Sequence, residues 1–296
     1  MAIKWRKYAG TSNSEETEAS DTNPLPVNIR GLDESGVAHT VLVNPLGRIE
    51  TVSQPYAYGI AEGEILNHSA LLKFGTKTTV AANTQSLIWE GPTAQYVYLT
   101  SAQQLKVSST SANDTVAGTG ARTLTILGLD TNYDEISETI NLNGVGVVTT
   151  TLSFIRVFRS YVDTCGTSLF NEGIISIKNN AGTVTQALIN ANDSQTLIAL
   201  WTVPRGKSLF ITNFSFSTDS NKGARISLFS RQLDGGILYP WRIRYRAYIY
   251  SGNNNIPFQV PFKIPEKTDL EIRVLTPAGA GNTSCGATFE GWYETN

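Results

Sequence analysis

Apolar and polar residues alternate in short runs along most of the chain, and turn-forming residues separate the runs. The clearest example is the segment 121–142, where Leu124 and Ile126 alternate with threonines and Ile140 lies in a second alternating run. A period of two residues is typical of a strand with one buried face. The polar residues 130–134 between the two runs favour a tight turn. The pattern therefore predicts a β-hairpin.

Similar short runs with turn signals recur along the chain, which is typical of a β-sandwich or a jelly roll. We therefore predict an all-β fold in three parts: an extended N-terminal arm and small β-meander in residues 1–55, a β-sandwich in residues 56–192, and a jelly-roll-like β-sandwich in residues 193–296. The second boundary is placed where the composition turns polar, at Asn190–Ser194. A weak helical signal in residues 59–75 is assigned to a linker or one short turn.

Composition narrows the classes of function. Apolar residues make up 41% of the chain and charged residues only 16%, which suits many short strands and turns. A net charge of -2 argues against a general nucleic-acid binder, because such proteins need a cationic excess to contact phosphates. No apolar run is long enough for a signal peptide or a bilayer span, so we expect no membrane association. Cys165 and Cys285 fit neither a disulfide framework nor a metal knuckle, and both are predicted to be buried thiols.

Candidate catalytic residues are few. His39 and His68 are the two histidines, and neither stands in a metalloprotease or nucleophile-elbow motif. Neither cysteine has an activating neighbour in the sequence. We therefore expect a protein without enzymatic activity and without a cofactor.

One segment has the spacing of a metal ligand set. Asp130, Asn132 and Asp134 place side-chain oxygens at every second residue, as the first half of a calcium loop does. The second half is missing, because Glu135 stands where the glycine of the loop belongs and Asn141 where its bidentate acid belongs. The segment thus favours a hairpin turn over a calcium site.

The N-terminal region combines a tether with a possible attachment point. Residues 9–24 are small, polar and acidic. Such a segment buries too little apolar surface to offset the conformational entropy that it would lose on ordering, so its composition predicts a flexible tether. Trp5, Arg6 and Lys7 precede it in a basic and aromatic cluster. Such a cluster suits docking onto another protein surface, and the alternative is a frayed terminus that binds nothing.

Basic and aromatic residues also alternate in the predicted strand 241–250. Regular alternation places Arg242, Arg244 and Arg246 on one face, at steps of roughly 7 Å. Like charges at this spacing repel one another and need partners. One interpretation is that they pair with cross-strand Asp or Glu residues of the same domain. The other is that they contact another subunit, because arginine and tyrosine are enriched at interface hot spots.

Several stretches follow a recurrent sequence pattern: Gly59-Ile-Ala-Glu-Gly63, Ile88-Trp-Glu-Gly91, the run 108–123, Phe154-Ile-Arg-Val-Phe-Arg159, Trp201-Thr-Val-Pro-Arg-Gly-Lys207 and the strand pair that begins at Pro261. Together they resemble a block found in virion structural proteins of tailed bacteriophages, of the head decoration or cement type. The matched stretches contain no catalytic residue. Arg205 departs from the pattern, since it stands at a position that is usually small.

The resemblance implies a capsid decoration or cement protein that binds and stabilises a phage head through oligomer contacts and its N-terminal arm. The implied partners are the major capsid protein or other virion proteins and further copies of the chain, with a trimer favoured, but neither nucleic acid nor membrane. The implied location is the virion, assembled in the host cytoplasm. The alternative is a neck- or tail-associated virion protein that holds a host glycan, because Trp89, Tyr96, Tyr98 and the aromatic residues of 239–250 offer rings for sugar stacking.

Overall fold

The computed structural model describes residues 30–32, 38–40, 56–280 and 283–296. The chain divides into two compact units, residues 1–55 and residues 56–296. In the first unit, the described residues form one antiparallel pair of strands, β1 Arg30–Leu32 and β2 Ala38–Thr40. The predicted arm, with Trp5, Arg6 and Lys7, lies outside the described residues.

The second unit contains one short helix and seventeen strands among its described residues. In chain order they are α1 Tyr56–Ala61, β3 His68–Lys77, β4 Ser86–Leu87, β5 Lys106–Ser109, β6 Ala121–Leu129, β7 Glu135–Asn141, β8 Val148–Thr149, β9 Arg156–Cys165, β10 Ile175–Lys178, β11 Thr185–Ile189, β12 Leu200–Thr202, β13 Lys207–Thr218, β14 Ala224–Asp234, β15 Ile237–Leu238, β16 Arg242–Ile249, β17 Gly252–Ile264, β18 Thr268–Leu275 and β19 Cys285–Thr295. The all-β prediction is confirmed.

The predicted hairpin at residues 121–142 is formed by β6 and β7. Leu124 faces Ile140 across the pair, and both are buried. The break in alternation before Leu129 also has a structural cause. Gly128 lies at a bulge against β9, and a Cβ there would lie 2.1 Å from the carbonyl oxygen of Arg156. The glycine therefore lets two strands approach where a side chain would separate them.

Two sheets form a first sandwich from residues 99–189. One sheet has the order β11-β10-β5-β8 and the other has the order β7-β6-β9. Their facing side chains alternate along each strand and share one core, with Val107 and Ile177 from the first sheet and Leu124 and Ile126 from the second, all fully buried. Alternating inward side chains of two antiparallel sheets are the basis of sandwich stability.

A second sandwich has jelly-roll topology. One sheet has the order β17-β13-β19-β3, and the other aligns β12, β18, β14 and β16. If these eight strands are numbered along the chain, the sheet orders are 6-3-8-1 and 2-7-4-5. This arrangement of antiparallel strands is that of a jelly roll. Its core lies between the sheets and includes Leu209, Phe214, Leu228, Ile272 and Phe289.

The first sandwich is inserted into the jelly roll. The first strand of the jelly roll, β3, pairs with β19, and the next, β12, begins only at Leu200. The short strand β4 also pairs with β18 of the jelly roll. Residues 56–192 thus contribute strands to both sandwiches. Residues 56–296 form one compact unit, and this unit is not divided at the boundary between the two sandwiches. The domain boundary at residue 192 therefore stays a prediction.

Two local expectations need correction. The segment 59–75, predicted as a linker or one short turn, contains the end of α1 and most of β3, a strand of ten residues. Its apolar residues follow no regular alternation because Leu72 is exposed at the sheet surface while Lys73 is buried. Cys165, predicted to be buried, is half-exposed, whereas Cys285 is buried as expected. Both thiols are free, and burial raises the pKa of each.

Strand β17 lies at a sheet edge, as its prolines predict, and pairs only with β13 among the described residues. The sequence places apolar residues at every second position from 258 to 264, which predicts a regular strand, but the structure interrupts it. Phe262 faces Ile211 and Pro257 faces Asn213, so the four residues between them bulge away from the ladder. Val260 lies in this bulge and is 81% exposed. In the described part of the chain, no helix has the length and apolarity needed to cross a membrane.

A buried ionic cluster joins the two sandwiches. Asp269 on β18 accepts hydrogen bonds from the Nε and Nη2 of Arg156 on β9, at 2.8 and 3.1 Å, and from Nη2 of Arg231 on β14, at 2.8 Å. The hydroxyl of Thr202 donates to the same carboxylate at 2.7 Å. Arg156 and Asp269 are 4% and 2% exposed. Four strands from two sheets therefore share one carboxylate.

Aromatic rings and a second carboxylate complete the cluster. The guanidinium of Arg231 lies over the rings of Tyr98 and Trp241, at 4.4 and 4.5 Å from their centroids. Glu271 accepts a hydrogen bond from the Tyr98 hydroxyl and pairs with Arg273. Burial raises the pKa of Glu271, and these two partners offset only part of that rise. Such sites are stable only when every charge has a partner.

Asp269→Asn should destabilise the protein strongly, because it leaves the guanidinium of Arg156 buried beside a neutral amide. We expect the free energy of unfolding to fall by about 3–5 kcal/mol, as for other broken buried ion pairs. The exposed pair of Arg205 and Asp134, 2.6 Å apart, provides the control. Asp134→Asn should cost less than about 1 kcal/mol. Chemical denaturation measures both values, and equal losses would contradict a structural role for the cluster.

Candidate interaction surface

Strand β16 carries the three arginines singled out from the sequence. It pairs with β14 alone among the described residues, so its other side is free of strand neighbours there. Arg242, Arg244 and Arg246 are all exposed. None of the three has a carboxylate within salt-bridge distance in the described part of the chain. The nearest polar partners that the structure records for Arg244 and Arg246 are serines.

The three arginines do not share one face. Strand β14 pairs without interruption with β18 from Arg225 to Gln232, so its side chains alternate regularly there. Arg246 faces Ser227 on β14, whereas Arg242 faces Ser230, and the register shifts between these pairs. Ser227 and Ser230 are three residues apart and therefore point to opposite sides of the sheet. Since opposed residues share a side, Arg242 and Arg246 lie on opposite sides.

Arg244 is the extra residue of the bulge, and its side chain lies on the same side of the sheet as that of Arg242. Its Nε donates to the Ser230 hydroxyl at 2.6 Å, while the Nε of Arg246 donates to the Ser227 hydroxyl at 3.0 Å. The predicted row of three guanidiniums on one face is therefore wrong. A bulge re-aims side chains by adding one residue to one strand, and nothing in a regular alternating sequence reports it.

Arg242 and Arg244 line a cavity at the end of the sheet. Its volume is about 260 Å³, and Ser230, Gln232, Asp234, Tyr239 and Pro240 complete its wall. The guanidinium of Arg242 lies 5.9 Å from the centre of the Tyr239 ring. Arginine and tyrosine together are typical of binding hot spots. The other side of the strand presents Arg246 beside exposed Tyr248.

An exposed hairpin tip adjoins this cavity and was missed in the sequence. Asp234 and Ile237 pair across a tight turn formed by Gly235 and Gly236, which have φ values of 56° and 82°. The tip leaves Ile237 62% exposed, and its neighbour in β15 is similarly exposed. The Asp-Gly-Gly sequence is a hairpin signal that could have identified it. Exposed aliphatic residues beside arginine and tyrosine are suited to contact another protein.

Most aromatic residues considered for sugar stacking are occupied within the fold. Trp89 and Tyr96 are 1% and 7% exposed and pack edge to face, so they fill the core. The ring of Tyr98 is contacted by the guanidiniums of Arg156 and Arg231, at 4.8 and 4.4 Å from its centroid. These three rings are unavailable to a ligand.

The segment with calcium-like spacing forms a closed turn. Asp130 Oδ1 accepts the backbone N–H groups of Asn132 and Asp134 at 2.8 and 2.9 Å, and Tyr133 adopts a φ of 68° between them. The carboxylate of Asp134 binds Arg205. Within the described ranges, no group of three or more His, Cys, Asp or Glu side chains is placed to hold a metal ion.

His68 is engaged within the fold. Its Nε2 lies 2.8 Å from the Tyr56 hydroxyl and 2.9 Å from a carboxylate oxygen of Glu294, and its Nδ1 lies 2.7 Å from the carbonyl oxygen of Leu66. Both ring nitrogens thus have partners, so His68 is a hydrogen-bonded polar residue of the fold. The side chain of His39 lies outside the described part of the structure.

Lys73 is a buried amine with a structural partner. It is 6% exposed, and its Nζ donates to the carbonyl oxygen of Phe158. Phe158 is the extra residue of a bulge in β9, opposite Leu127 and Gly128, and its carbonyl lies outside the regular ladder. Burial, assisted by the positive charge of Arg159, lowers the pKa of Lys73 to about 7. The amine therefore satisfies a bulge carbonyl.

Stability should depend on pH through Lys73. Unfolding returns its pKa to 10.5, so between these two values the unfolded state binds more protons and the free energy of unfolding rises with pH. Below about pH 7 both states are protonated and this contribution is constant. Lys73→Met removes the titrating group. Relative to the variant, the wild-type protein should gain up to about 1.4 kcal/mol per pH unit above neutrality. Urea unfolding at several pH values measures the difference, and parallel curves would contradict the assignment.

Comparisons with known proteins give a remote likeness. No protein-family model matches the chain, and no curated protein matches it. Among solved structures, the VP2 protein of infectious bursal disease virus in derived T=1 particles aligns with a TM-score of 0.25 and 11% identity, over 82% of this chain and 75% of that chain. The structure of the Gt strain of the same virus aligns with a TM-score of 0.22 and 13% identity, over 82% and 83% of the two chains. At these values the likeness carries no argument about function.

Proposed function

We propose that the protein is a non-enzymatic structural component of a tailed-phage virion, a decoration or cement protein that binds the capsid surface. The sequence motifs described above support this function, since they resemble virion proteins over much of the chain. The observation that carries the proposal in the structure is the surface formed by Arg242, Arg244 and the adjoining tip at Ile237. It combines guanidiniums that form no salt bridge among the described residues with exposed aliphatic side chains at a sheet edge.

The composition of this surface suits a contact with a neighbouring subunit. Its two arginines outnumber the one carboxylate of the cavity, Asp234, and neither forms a salt bridge among the described residues, so an acidic patch on a neighbour would complete them. The apolar tip supplies area that loses water on contact. The edge strands β16 and β17 also leave backbone groups available for a partner. We infer that the partner is another virion protein or a second copy of the chain, with a trimer as the favoured assembly.

Electron microscopy of virions tests the proposed role directly. A tagged copy of the chain should form a regular array over the head. Density confined to the neck or tail would instead support the alternative of a tail-associated protein, and absence of the tag from purified particles would contradict any virion role.

Particles assembled with a chain that lacks residues 1–25 test the proposed arm, because this deletion should reduce occupancy while leaving the unfolding midpoint unchanged.

The double variant Arg242→Glu/Arg244→Glu should weaken attachment to particles at least about tenfold, because it reverses two charges at the proposed contact. The residues are exposed, so the fold should be retained. Arg246→Glu is the control, since it reverses another exposed charge of the same strand on the opposite side of the sheet. Co-sedimentation with particles at low and high salt measures attachment, and the wild-type interaction should weaken as salt rises.

Comparison of the double variant with Arg246→Glu also locates the contact. If Arg246→Glu has the larger effect, the contact lies on the side of Ser227 and Tyr248, and the proposed surface is wrong. If both proteins attach like the wild type at low salt, the arginines are solvated residues without a role in assembly. Circular dichroism of each variant establishes that the fold is unchanged.

A further inference from the structure

A cavity of about 400 Å³ lies at the end of β16 that is remote from Arg242. Strands β14 and β18 and the loop before β14 form its wall. Its polar and aromatic lining residues are Asn83, Lys222, Arg225, Tyr248, Tyr250 and Thr276. This volume falls in the range of roughly 300–1,000 Å³ that small-molecule sites occupy.

Two buried polar groups of the wall have no partner within the described residues. Thr276 is fully buried, and its Oγ1 makes no hydrogen bond there. The Nε of Arg225 is also buried and makes none. Thr276 Oγ1 and Arg225 Nε expose almost no surface, so a ligand does not reach either atom. The terminal guanidinium nitrogens of Arg225 are not among these buried atoms and make no hydrogen bond within the described residues, so they are the donors of this side chain that a ligand can reach.

Two phenol rings form the outer part of the site. Tyr248 and Tyr250 are 69% and 74% exposed, more than any other aromatic residue weighed for sugar stacking. The ring of Tyr250 lies over Gly223, where a Cβ would come within 3.0 Å of the ring. Gly223 has a φ of 84°, which a side chain rarely permits. One face of the Tyr250 ring therefore packs against the backbone at Gly223.

The loop beneath these rings is held in place before any ligand binds. Ser220 is 1% exposed and donates through its hydroxyl to the carbonyl oxygen of Gly223 at 2.9 Å. Its own carbonyl accepts the backbone N–H of Ser251 at 3.0 Å, next to Tyr250. On the opposite wall, the N–H of Asn83 donates to the carbonyl oxygen of Thr276 at 2.8 Å. A preorganised site loses less entropy on binding.

The charge of the site selects for an anion. Lys222 and Arg225 contribute two cations, and the lining residues include no carboxylate. Asp219 lies in the same loop but accepts the N–H and hydroxyl of Ser284, both at 2.7 Å. Its carboxylate is therefore engaged outside the cavity. Arginine binds carboxylates through two parallel hydrogen bonds, which adds geometric selectivity to the charge.

We propose that this cavity binds an acidic saccharide. The carboxylate of a uronic acid residue binds Arg225 and Lys222, the apolar face of the sugar ring lies on Tyr250, and its hydroxyls bind the Asn83 amide. A saccharide fits better than an acidic peptide because the wall offers exposed phenol rings together with the Asn83 amide, which match a sugar ring with its hydroxyls. The proposal holds wherever in the virion the protein is located.

Isothermal titration of the full chain with a short oligogalacturonate tests the proposal, and the fully methyl-esterified oligomer is the matched probe without charge. We expect saturable binding of the acid and at least about tenfold weaker binding of the ester. Equal affinity for the two, or no binding of the acid, would overturn the proposal. Tighter binding of an oligoglutamate peptide of equal charge would also overturn it, in favour of a peptide site.

Variants assign the binding to this cavity. Arg225→Gln should reduce affinity for the acid about tenfold or more and leave affinity for the ester unchanged, whereas Tyr250→Ala should weaken both. Arg205→Gln is the control, because it removes an exposed cation elsewhere. Loss of binding in the control, or normal binding in Arg225→Gln, would place the saccharide at a different site. An unchanged unfolding midpoint shows that each variant is folded.

Discussion

A buried charge that water does not reach fixes how the two sandwiches meet, beside the apolar contacts that they also share. Asp269 projects from the jelly roll and meets Arg156 from the inserted sandwich, and Arg231 and Thr202 complete its coordination. An ion pair at this depth compensates its loss of hydration only when its geometry is complete. The relative position of the two sandwiches is consequently restricted to the one arrangement that brings all of these groups into contact. An apolar contact between the sandwiches would tolerate sliding, whereas this one does not.

Local features of the fold could be predicted from the sequence because they depend on neighbouring residues. The hairpin around Leu124 and Ile140 follows from alternation and turn composition, and the edge position of β17 follows from Pro257 and Pro261. The inserted arrangement could not be predicted, because pairing of β3 with β19 depends on residues about two hundred positions apart. Lys73 also made β3 hard to predict. A buried lysine interrupts the apolar pattern, and the carbonyl oxygen that accepts its hydrogen bond belongs to Phe158 on β9.

The candidate surfaces likewise combine features that the sequence predicts with features that it does not predict. Arg242, Arg244 and Arg246 were recognisable as unusual from their spacing, but a single extra residue opposite β14 separated them onto two sides. The cavity at Arg225 and Thr276 has no sequence signature, because its walls come from segments that are distant in the chain. Side-chain alternation is a property of one strand, whereas a bulge or a cavity is a property of several.

The insertion also sets the order in which the chain can fold during synthesis. The strands of the first sandwich, β5 to β11, occupy a contiguous stretch and can associate as soon as the ribosome releases them. β3 leaves the ribosome earlier, yet its neighbour β19 is synthesised last of all the described strands. A finished inner sandwich therefore waits beside an unpaired β3. During that interval the exposed edge of β3 is the part of the nascent chain most open to aggregation or to capture by a chaperone.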